Sequence, residues 1–214
     1  MPKILIAAAG VVMCAMVACS NPSGGGGQTG PTVSSVSVQQ GDLPSGMVKC
    51  PLSGKIEDFI KAEQTPDPNT AKSITNYWTD AQSNGAKAAY AAIFADSQDR
   101  CASIKNPQTD VGTATYKLVV NFVVEFKDEA TATDAYNNKT IFGFSKSQLK
   151  AAPVIEGTKT GLTENSIVLS QAIASQQFYI AEWQNKKFMV ILAVLNIDPE
   201  ASKKVSTAEN SRIK

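Results

Sequence analysis

Phe188 to Leu195 reads FMVILAVL, an apolar run without interruption. A strand apolar on both faces sits in the middle of its sheet, with a neighbour along each edge. Its first partner is the segment before it. Residues 177–183 and 187–195 form a hairpin around Gln184-Asn185-Lys186. Ile167-Val168-Leu169 opens the meander leading into that hairpin. Tyr116 to Phe126 is a second long strand. Tyr116, Leu118, Val120, Phe122, Val124 and Phe126 share one face, and Lys117, Val119, Asn121, Val123 and Glu125 share the other.

Residues 86–95 (AKAAYAAIFA) fit helix by alanine content and spacing. They also end as 116–126 does, in an aromatic residue followed two positions later by an Asp, Asp96 in one case and Asp128 in the other. That parallel makes 86–95 a strand, with Asp96 and Asp128 capping the short helices that follow. Ile56, Phe59 and Ile60 form a short helical stripe. Asp67-Pro68 opens a longer helix that carries Ala71, Ile74, Tyr77, Trp78 and Ala81 and ends at Asn84-Gly85. Residues 128–138 form another helix, 140–144 a short strand or loop, and 157–165 a loop. Asp198-Pro199 caps a polar C-terminal helix. Strands joined by tight turns, with helices between them, give an α+β fold. The expectation is a single antiparallel sheet of about five strands, with helices packed mainly on one face, in one domain spanning 41–214.

The N-terminus reads as an address. A basic start at Lys3 precedes an apolar run from Ile4 to Ala18, too short for a membrane span of about twenty residues. Met16-Val17-Ala18-Cys19 resembles the lipobox of bacterial lipoproteins. That resemblance implies a signal peptide over 1–18, cleavage before Cys19, diacylglycerol on the Cys19 sulfur, and acylation (palmitate) of the new amino terminus. The four consecutive glycines Gly24–Gly27, with Ser, Asn, Pro and Gln around them, mark 19–40 as a tether. Thr32 to Gln40, where Val alternates with Ser or Gln, is an extended arm or part of that tether.

Four cysteines then become two. Cys14 leaves with the signal and Cys19 carries lipid. Cys50 and Cys101 remain in an oxidising compartment, where a pair is expected to form a disulfide.

Composition closes several routes. The formal net charge is +1, and removing 1–18 takes away one Lys and no acid, leaving none. A nucleic-acid partner is therefore not expected. The sequence contains no His, so mechanisms and metal sites built on imidazole are absent, and no metal or other cofactor is expected. Ser147-Gln148-Leu149-Lys150, Lys159-Thr160-Gly161 and Tyr136-Asn137-Asn138 resemble motifs of penicillin-binding proteins and β-lactamases. Their order is wrong, however, and Pro153 leaves no long helix after Ser147. Asp96/Asp99 and Asp128/Glu129 read as helix-start carboxylates.

Among the aromatic residues, Tyr179 and Trp183 share one face of a strand, opposite Phe178, Ile180 and Glu182. Core packing is the default for them, and they become the candidate recognition surface should that face be exposed. The expectation is thus a non-enzymatic lipoprotein of the cell envelope, anchored to inner or outer membrane lipid. It would bind an envelope protein, a ligand or the cell wall. The alternatives are the solute-binding lipoprotein of a transporter and, further off, a hydrolase using Ser/Lys or carboxylates.

Overall fold

Leu118–Phe126 and Phe188–Leu195 pair antiparallel along their lengths, and every residue of both strands is buried. A computed structural model describes residues 30–104 and 107–214. The expected signal peptide, Cys19 and most of the glycine-rich segment lie outside the described residues.

The strands are β1 (Val48–Lys49), β2 (Gly54–Lys55), β3 (Ala86–Ala95), β4 (Leu118–Phe126), β5 (Ile155–Glu156), β6 (Ser166–Ile173), β7 (Gln176–Asn185) and β8 (Phe188–Leu195). They form one antiparallel sheet in the order β1-β3-β4-β8-β7-β6-β5, with β2 also paired to β3. The α+β class and the single antiparallel sheet are as expected, but among the described residues the sheet has eight strands rather than about five. Five are long. The other three have two residues each, too few to carry an alternating pattern.

The segment 86–95 is a strand because β4 offers it a ladder from Ala86↔Phe126 to Ala95↔Leu118, irregular only between Ala86 and Ala88. The preceding turn needs Gly85. Its φ is +93°, and a β-carbon there would stand 2.8 Å from Thr131 Cγ2.

Helices cover both faces of the sheet. On one face lie α2 (Ile56–Glu63), α3 (Pro68–Ser83), α4 (Gln98–Ser103), α5 (Pro107–Thr113), α6 (Glu129–Asn138) and α7 (Lys146–Leu149). The first five pack on Ala91, Ile93, Val120, Phe122, Val124 and Ile191, and α7 sets Leu149 against Ile167 and Leu169. On the other face lie α1 (Val33–Val36) and α8 (Pro199–Ser211), over Val119, Val123, Tyr179, Trp183, Val190 and Leu192. The expectation of helices mainly on one face holds by number and misses this second layer.

The helix starts follow capping chemistry. Asp67 accepts from the Thr70 amide at 3.1 Å, Asp128 from Thr131 at 2.8 Å, and Asp198 from Glu200 and Ala201, with Pro68 and Pro199 in the first turns of α3 and α8. The Asp96/Asp128 parallel breaks at the first of these. Ser97 caps α4, and Asp96 instead accepts from the Lys117 amide at 3.2 Å.

The boundary drawn at residue 41 also moves. Val33, Val36 and Val38 are buried in the α8-side core. The Val38 amide donates to Asn121 Oδ1 at 3.0 Å, deep on β4. Arg212 fastens the arm from the far end of the chain. It donates to the Val36 and Ser37 carbonyls, each at 3.0 Å, and to both carboxylate oxygens of Asp42 at 3.0 and 2.8 Å. The arm from Thr32 to Asp42 is therefore part of the domain rather than tether.

Candidate functional site

Cys50 and Cys101 are bonded, joining the end of β1 to α4 with Cα atoms 5.1 Å apart. The bridge holds the β1–β2 loop against α4, and the end of α2 with its turn into α3 closes the same corner. Between them is a pocket of about 350 Å³. Pro51 and Leu52 come from the loop, Glu63, Pro66 and Asp67 from the end of α2 and the turn, and Gln98, Cys101, Ala102 and Ile104 from α4 and the residue after it. Its walls are predominantly apolar, with few polar groups, as small-molecule sites commonly are.

Glu63 is the unusual member. The core-facing stripe of α2 runs Ile56, Phe59, Glu63, so the acid takes the place where the helical period calls for another apolar residue. It is only 5% exposed. No side chain among the described residues hydrogen-bonds or ion-pairs with its carboxylate. Burial, and then the neighbouring charge of Asp67, push its carboxyl above the ordinary range. Asp67 itself is engaged at the start of α3, where it also accepts from the Thr70 hydroxyl at 2.9 Å. The clue in the sequence was a charged residue breaking an apolar stripe one turn before a Pro-Asp-Pro turn.

The residues singled out in the sequence are distributed differently. Tyr179 and Trp183 are 3% and 0% exposed, because α8 lies over their face. They are not an open recognition surface. Tyr179 Oη meets Ser206 Oγ at 2.7 Å and borders a groove of about 160 Å³ between α8 and the β5–β6 edge, beside Lys159 and Lys203.

Ser147 and Lys150 are not brought together. Ser147 Oγ lies 3.0 Å from Ser145 Oγ, and Lys150 pairs with Glu156 at 3.0 Å. Each side chain is taken up by its own separate partner.

Two further acids are sealed in, one on each face. Glu182 on β7, 0% exposed, has no partner for either carboxylate oxygen. Burial pushes its carboxyl up to about 8, against a smaller lowering influence from Lys146. Glu209 on α8 is likewise buried, and burial raises its carboxyl well above the ordinary range, against smaller lowering influences from Asn121 and Arg212.

Among the described residues no group of three or more Cys, Asp or Glu is arranged to hold a metal ion, and no helix is long and apolar enough to cross a membrane. Comparison with known protein families, with curated proteins and with solved structures finds no match.

Proposed function

We propose that this chain is an extracytoplasmic bacterial lipoprotein, anchored through acylated Cys19, whose domain is a non-enzymatic binding module. The observation that carries the binding role is the pocket beside the Cys50–Cys101 bridge, a preformed apolar cavity that exposes an otherwise buried acid. The bridge itself suits an oxidising compartment.

The docked arm refines the anchoring. If the domain begins at Thr32, the tether shortens to Cys19 to Pro31. The arm leads into α1, on the opposite face of the sheet from the pocket. A membrane on the α1 side therefore leaves the pocket facing the aqueous compartment. All described strands belong to one sheet, which favours an interaction module over a two-lobed transporter subunit.

Labelling producing cells with an alkyne analogue of palmitate tests the anchor. The wild-type chain takes up label and stays with membranes, and Cys19→Ala does neither. An unlabelled wild-type chain overturns the anchor.

A further inference from the structure

We propose that the pocket beside the Cys50–Cys101 bridge takes an organic cation, an ammonium group on an apolar body, with Glu63 as its counter-charge. This rests on reading the pocket as the binding site of the domain.

Three features disfavour a bare carboxylate at position 63. It is 5% exposed, it lies beside Asp67, and it is the last residue of α2, where the helix dipole is negative. No described group compensates it, and Lys61 in the same turn points to solvent. A structural role would be served better by an apolar residue continuing the Ile56–Phe59 stripe, since burying an unpaired acid costs stability.

The neighbouring acid and the helix end change sign for a cation, and pairing with Glu63 offsets the cost of burial. The Glu63 carboxylate and the helix end together make a negative pole at one wall of the cavity. No Lys or Arg is among its described lining residues. The remaining wall, with Pro51, Leu52, Pro66, Ala102 and Ile104, offers an apolar body its contacts. The volume of about 350 Å³ lies at the small end of the range for small-molecule sites, which limits the body to a short chain or single ring. Pairing with Glu63 removes the cost of the bare acid, so binding and local order support each other.

The test uses three ligands of one shape and different charge: n-hexylammonium, 1-hexanol and hexanoate. Each is titrated by NMR into the full chain with the disulfide oxidised, carrying Cys19→Ser to keep lipid out of the titration. Hexylammonium is expected to shift the Leu52, Ala102 and Ile104 signals and to bind tightest, with hexanoate weakest. Glu63→Gln, an isosteric neutral change, is expected to weaken hexylammonium roughly 10- to 100-fold and leave hexanol unchanged. Glu63→Leu gives a second neutral variant should Gln perturb the fold, and the ordering of the three ligands on the wild-type chain reads the charge preference without any variant.

Equal binding of all three, or preference for hexanoate, overturns the cation while leaving the pocket a binding site. No response at those signals to any of the three overturns both.

Discussion

Replacing Glu182 with Gln is expected to stabilise the domain increasingly as pH rises from about 4.5 to about 8. Glu182 lies on β7 between Ile167 of β6 and Ile191 of β8, beneath α6 and α7, with both oxygens buried and unpaired. Its carboxyl titrates near 8 in the folded chain, against a reference value of 4.5. Between those values the folded state holds a proton that the unfolded state has released. The stability attached to this group is therefore complete below about pH 4.5, declines through neutrality, and levels off above about 8. Each pH unit in that window costs about 1.4 kcal/mol, so the loss at pH 7 is about 3 kcal/mol relative to acid conditions.

Glutamine keeps the shape of the protonated acid and does not titrate. Urea unfolding followed by tryptophan fluorescence, on both proteins from pH 4 to 9, gives the difference directly, and the other titrating groups cancel to first order. The expected difference grows by about 3 kcal/mol between pH 4.5 and 7 and is flat above 8. Parallel stability curves across that range refute the reasoning. They would mean that Glu182 is ionised in the folded chain at neutral pH, through water or through Lys146, whose ammonium sits 4.6 Å from the centre of the Tyr136 ring.

Two other perturbations have defined outcomes. Replacing Cys50 and Cys101 together by Ala opens a 51-residue loop and is expected to cost about 4 kcal/mol in urea unfolding, and an unchanged midpoint would deny the bridge a stabilising role. Arg212→Ala removes the clamp on Val36, Ser37 and Asp42 and is expected to cost about 2–4 kcal/mol. Hydrogen exchange at the Val36 and Val38 amides should then speed up more than exchange on β4, and uniform protection would contradict a clamped arm.

How much of this was legible in the sequence depends on the length and chemistry of each element. FMVILAVL is long enough for its burial on both faces to be read directly, and 116–126 for its strand alternation, whereas the burial of Asn121 and Glu125 on its second face was not legible. Asp67-Pro68 and Asp198-Pro199 announce their helices because a side-chain acceptor followed by a proline is a local signal that needs no tertiary context. The strands of β1, β2 and β5 exist only because β3 and β6 offer backbone partners, and two residues carry no pattern.

The element that covers Tyr179 and Trp183 was hidden for a different reason. The inward stripe of α8 is Ser202, Val205, Ser206 and Glu209, polar on any hydropathy scale. Ser202 and Ser206 satisfy their hydroxyls on the backbone at Asp198 and Lys203, so the helix seats closely on the sheet with a single aliphatic contact in that stripe. Arm burial was hidden because each Val of 32–40 needs the face of β4 and the reach of Arg212 from 170 or more residues away. Glu63 was visible as a break in a stripe, but only the cavity beside it gives the break a meaning.

The most direct test of an anchored, extracytoplasmic binding domain is the intact mass of the protein extracted from membranes of its producing cells, before and after reduction. The expected species begins at Cys19, carries diacylglycerol and an amide-linked acyl chain, and gains about two mass units on reduction, one hydrogen for each sulfur of the Cys50–Cys101 bond. A chain that still begins at Met1, or one without lipid mass, contradicts the anchor, and a mass that does not change on reduction contradicts the compartment.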